Sequence, residues 1–80
     1  MARYGKVGKL SPAQVLEMAL QFFGPAGLGL KVVEQGEGCV SFEGGGGHVF
    51  VQVYEEGKGS QVELETREWD AQVREFMGKI

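Results

Sequence analysis

One cysteine, one histidine, one tryptophan and two prolines occur in 80 residues, and each scarcity excludes something. Cys39 has no second thiol for an internal disulfide and no Cys or His neighbour at metal-ligand spacing. A reducing, cytoplasmic setting without a bound metal or cofactor is the expectation. Positive charge is not in excess: eight Lys and Arg stand against eleven Asp and Glu, for a net charge of −3. Phosphate backbones and anionic lipid surfaces call for the opposite balance, so neither nucleic acid nor a membrane is an expected partner. Long apolar runs are missing as well. The stretch 18–30 carries no charge but is too short to span a bilayer, and Gly24, Pro25, Gly27 and Gly29 interrupt it. Residues 1–10 carry Arg3, Lys6 and Lys9 with no apolar core behind them, unlike a signal peptide. The length itself leaves room for one domain, 1–80.

What is present suits a folded domain, with 42% hydrophobic residues and 10% aromatics. Leu10-Ser11-Pro12-Ala13-Gln14-Val15 has the form of a capping box: Ser11 accepts from an orphan amide, Gln14 returns a bond, and Pro12 occupies a position that needs no N–H. Val15, Leu16, Ala19, Leu20 and Phe23 continue at helical spacing until Gly24 and Pro25. The spacing predicts a helix over 12–23, ended by a left-handed cap at Gly24. From Leu28 the period changes to two, which predicts strands over 28–35, 38–43, 48–55 and 60–67. Their connections are short and glycine-bearing, as antiparallel hairpins require. Trp69, Val73, Phe76 and Ile80, with Met77 beside them, restore helical spacing, so a second helix is expected over 67–79. Thr66 is its expected cap, Glu68 and Asp70 its acidic first turn. The segment 3–7 is a candidate edge strand, protected from pairing with another chain by the charges of Arg3, Lys6 and Lys9, so the sheet is expected to be four- or five-stranded. The expected class is α+β: an antiparallel meander with two helices on one face.

Alternation assigns Leu28, Leu30, Val32, Val40, Phe42, Val49, Val51, Val53, Val62 and Leu64 to the face under the helices. Pairing Leu30 with Phe42, Phe42 with Val49 and Val51 with Leu64 keeps like with like. The opposite face then carries Val33, Cys39 and Gln52 in one row, with Phe50 and Tyr54 either side of Gln52 on the same strand. Aromatics beside a valine and a thiol on a face that no helix covers form an exposed apolar patch, the mark of a partner or ligand surface. The expected function is therefore noncatalytic: a small binding or assembly module using Val33, Cys39, Phe50, Gln52 and Tyr54 for homodimerisation or for a small apolar ligand.

Other motifs are weaker. Gly44 to Gly47 followed by His48 invites a phosphate loop, but the Lys-Ser/Thr ending and the following helix are missing, so a hairpin is preferred. Glu43, His48 and Arg67 fall in one row and contain an acid, an imidazole and a guanidinium, the alternative reading being a small acid–base enzyme. Four glycines before His48 hold a base poorly. Cys39 lacks an adjacent cation to activate it, and Trp69 sits where a core anchor would. Glu63, Glu65, Glu68 and Asp70 place negative charge on or near the open face, against a nucleic-acid role.

The order of possible strand, helix, four strands and helix resembles a single TATA-box-binding-protein repeat, and is similar to a shortened helix-grip (START-like) domain. That resemblance, of element order only, implies a curved sheet gripped by helices, with a concave face used for binding or pairing. No functional residue carries over from it.

Overall fold

The computed structural model describes residues 2–80. In chain order it contains β1 (Ala2–Gly8), α1 (Pro12–Phe23), β2 (Lys31–Gly36), β3 (Cys39–Gly44), β4 (Gly47–Glu56), β5 (Gly59–Arg67) and α2 (Asp70–Met77). All strands join one antiparallel sheet in the order β1-β5-β4-β3-β2, so the N-terminal segment is a fifth strand, placed beside β5. The longest strand, β4, runs through the middle.

The helix start is built as the sequence dictates. Ser11 Oγ accepts from the Gln14 N–H at 3.2 Å, and Gln14 Oε1 accepts from the Ser11 N–H at 3.0 Å. Its end differs from expectation. Gly24 is not left-handed but extended, with φ −73°, and its N–H donates to the Leu20 carbonyl. Glycine is required there by close approach, because a Cβ would overlap the Leu20 carbonyl oxygen.

Val15, Ala19 and Phe23 of α1 and Val73 and Phe76 of α2 are buried against Val40, Phe42, Val49, Val51, Val53, Val62 and Leu64. Four phenylalanines lock the joint: Phe23 meets Phe22, Phe42 and Phe76 at centroid distances of 5.0, 5.5 and 5.2 Å. Two buried hydroxyls find carbonyl partners, Ser60 donating to Leu10 and Thr66 to His48. On the same side β1 is tied to α2, with Tyr4 Oη donating to Asp70 Oδ2 at 2.8 Å and Lys6 Nζ to the Met77 carbonyl at 2.9 Å.

Two boundaries and one register depart from the sequence reading. Strand β2 begins at Lys31, not at 28, because the chain after α1 makes local turns: the Leu28 N–H bonds the Phe22 carbonyl and Gly29 has φ 85°. Leu28, expected in the core, is 40% exposed, whereas Leu30 is buried. In β2 the register shifts between Val32 and Glu34, so Val32, not Leu30, pairs with Phe42 and Val33 is the extra residue of a β-bulge. Helix α2 begins at Asp70 because Arg67 is still paired in β5 and Glu68 takes φ 76°, which no helix contains. Thr66 is thus a buried strand residue and not a cap, and only Asp70 of the expected acids lies in the first turn.

The turn between β3 and β4 has two central residues, Gly45 and Gly46, with φ 60° and 80°, the sign pattern of a type I′ hairpin. The Trp69 ring lies over it, and Trp69 Nε1 donates to the Gly44 carbonyl at 2.9 Å. A Cβ at Gly45 would come within 2.9 Å of that ring, while at Gly46 it would meet nothing within 4 Å.

Both glycines therefore oppose substitution through φ, but only Gly45 through packing. Gly46→Ala should cost about 1 kcal/mol and Gly45→Ala about 2 kcal/mol or more, to be measured by denaturant unfolding. A second expectation concerns Tyr4. Its hydrogen bond to the Asp70 carboxylate, with burial and that carboxylate's charge adding and Arg74 opposing, raises the phenol above its ordinary value. The folded state prefers the neutral phenol, so this contribution is complete below about pH 10 and is lost as pH rises through the raised value. Tyrosinate absorbance should show Tyr4 titrating above its ordinary value, and Asp70→Asn should bring it down.

Candidate functional site

Strand alternation sends one set of side chains away from both helices. Across the sheet this open face has a row of Gly5, Glu63, Gln52, Cys39 and Gly36, and a second of Arg3, Glu65, Phe50, Ser41 and Glu34. Tyr54, opposite Gln61, lies beyond the first row, and His48, flanked by Glu43 and Arg67, lies beyond the second.

The five residues singled out from the sequence are placed as follows. Phe50, Gln52 and Tyr54 do follow one another along the open side of the central strand, with Tyr54 47% exposed and the other two half-buried. Cys39 is half-buried and pairs with Gln52 as expected. Val33 is not in that row. Gly36 takes the place opposite Cys39, and Val33, 43% exposed at the bulge, lines a hollow with Ser41, Phe50 and Glu34. The bulge has a further consequence that alternation alone could not give: it turns Glu34 onto the open face, opposite Ser41. Val7, 61% exposed on β1, joins the face from a segment whose strand character the sequence left open.

The charges form a connected group. Glu65 receives Arg3 Nη2 at 3.2 Å and faces His48 Nε2 at 3.5 Å. Glu43, His48 and Arg67 do share a row, as expected, but the close charged partner of His48 is Glu65 of the neighbouring row, and Glu43 makes no side-chain hydrogen bond among the described residues. No group of three or more metal-ligating side chains occurs among the described residues, and no described helix is long and apolar enough to cross a membrane.

A hollow of about 280 Å³ lies beside the aromatic strip, bounded by Arg3, Gly5, Phe50, Gln52, Glu63 and Glu65. Gly5 creates the space. It sits inside β1 without positive φ, and a Cβ there would have its nearest contact at 3.7 Å, so neither strain nor crowding demands a glycine. Glycine inside a strand weakens it and often marks a place where another group approaches closely.

The Arg3–Glu65–His48 group is too open to hold the fold together, since Arg3 is 81% exposed and the other two side chains roughly a third or less. Glu65→Gln, which removes the charge from both contacts, should change stability by less than about 1 kcal/mol in thermal or denaturant unfolding. Compared with protein-family models, with curated proteins and with solved structures, the chain matches none.

Proposed function

We propose that this protein is a small noncatalytic assembly module whose open sheet face pairs with a second copy of the chain. The observation that carries the reading is the apolar strip of β4 and its neighbours, Phe50, Tyr54, Val33 and Cys39, on the face opposite both helices. A two-layer α+β domain is covered by helices on one side of its sheet only; a half-buried phenylalanine at the centre of the other side gains from a second cover. Area is consistent with a full-face contact. Ten residues of β4 at about 3.3 Å and four strand spacings of about 4.8 Å give on the order of 600 Å², in line with overall dimensions of 36 × 20 × 17 Å. Projecting side chains enlarge this toward the roughly 800 Å² per partner of a standard interface.

A small apolar ligand is the second reading, favoured by the hollow beside Gly5 and the Phe50 ring. At about 280 Å³ it lies near the lower bound of ligand pockets, with a rim charged by Arg3, Glu63 and Glu65, and the larger hollow beside Val33 and Phe50, about 490 Å³, is rimmed by Glu34, Glu43 and Glu65. It therefore ranks behind pairing. The resemblance in element order to a TATA-box-binding-protein repeat supports a binding or pairing face by fold analogy alone.

Light scattering at tens of micromolar protein should give the mass of a dimer. Phe50→Asp should give a monomer of unchanged circular dichroism. A compact monomer in the unaltered protein, with no co-purified small molecule by mass spectrometry and no effect of Phe50→Asp, would remove the role assigned to this face.

A further inference from the structure

Resting on the reading that the open face pairs two copies, we infer that they meet face to face with their two-fold axis along β4. The sheet supplies the first reason. In the order β1-β5-β4-β3-β2 the central strand has two strands on each side, so a half-turn about β4 lays β5 over the partner's β3 and β1 over the partner's β2, and the whole face is used. His48, Phe50, Gln52 and Tyr54 then meet their own counterparts on the axis, which is where Phe50 and Tyr54, the two large aromatics of the face, lie.

Charge supplies the second, independent reason. On one side of β4 stand Arg67 and Arg3, with Glu65 bonded to Arg3 and Glu63 beyond it; at the levels of the two arginines on the other side stand Glu43, with Lys31 beside it, and Glu34. The half-turn brings Arg67 over Glu43 of the other copy, twice. It also brings Arg3 toward Glu34, within the reach of long side chains once the usual angle of about 30° between packed sheets is allowed for. Glu34 is available for this only because the bulge at Val33 turns it outward. An axis across the strands through Phe50 also sets Arg67 over Glu63, but it stacks Arg3 on Arg3, Glu65 on Glu65 and Glu34 on Glu34. Like charges facing each other across a contact oppose it.

The edges give a third indication. Gly5 of β1 falls over Gly36 of β2, both on the row of Gln52, and neither has positive φ. Two positions without side chains at facing edges let the sheets close at the rim. The hollow at Gly5 is then interface space.

Charge exchange tests the axis. Arg67→Glu and Glu43→Arg, each made alone, should weaken dimerisation about tenfold in sedimentation equilibrium, since each places two pairs of like charges in contact. An equimolar mixture of the two variants should form a heterodimer within about threefold of the original affinity, because both contacts are again complementary. Cross-linking gives a second measurement that tolerates poor folding of either charge variant. In a Cys39→Ser background, Gln52→Cys should join to its own counterpart through a short bis-maleimide, whereas Arg3→Cys, displaced by about 19 Å from its counterpart, should not. A dimer that ignores both charge reversals, or that cross-links through position 3 and not 52, overturns the axis and leaves pairing intact. A protein that stays monomeric at every concentration overturns pairing itself.

Discussion

Phe23 touches three other phenylalanines from three parts of the chain: its neighbour Phe22, Phe42 on β3 and Phe76 on α2. The sheet's sidedness depends on this contact. Once α1 and α2 share one aromatic joint they lie together on one face, and the described residues contain no third helix over the other. Small domains bury a modest fraction of their surface, about 60% at this size, so an uncovered face is the direct consequence of two helices and five strands.

The second constraint acts at the opposite end of the joint. Trp69 closes over the Gly45-Gly46 turn while the chain reverses from β5 into α2 through Glu68 in a left-handed conformation. A non-glycine residue at positive φ costs about 1 kcal/mol or more, which the ring packing and the bond to the Gly44 carbonyl offset. The turn and the α2 start are therefore one unit, holding the row of Glu43, His48 and Arg67 at its edge.

Much of this was legible in the sequence. The capping box at Ser11 and Gln14 is a local exchange of two hydrogen bonds, so four residues suffice to specify it. Hairpins with two-residue turns fix register from the turn outward, which is why Phe42 with Val49 and Val51 with Leu64 follow from loop lengths alone. The placement of Phe50, Gln52 and Tyr54 on one face follows from period two along a single strand. Val33 and Glu34 were not legible, because a bulge shifts alternation by one residue without any required residue type. The C-terminal helix start was misplaced for a related reason: Thr66, Glu68 and Asp70 have the composition of a helix entry, but the pairing of Arg67 with His48 keeps the strand going.

By itself the sequence determined the kind and order of the elements from α1 onward, the start of α1, the hairpin turns, most of the buried face and the aromatic strip of β4, since each rests on contacts between residues near in sequence or on simple periodicity. Tertiary structure alone decided where β1 pairs, where β2 slips by a residue, and which charges meet. Those depend on residues far apart in the chain, such as Arg3 and Glu65, whose proximity is created by the completed sheet and encoded in no local pattern.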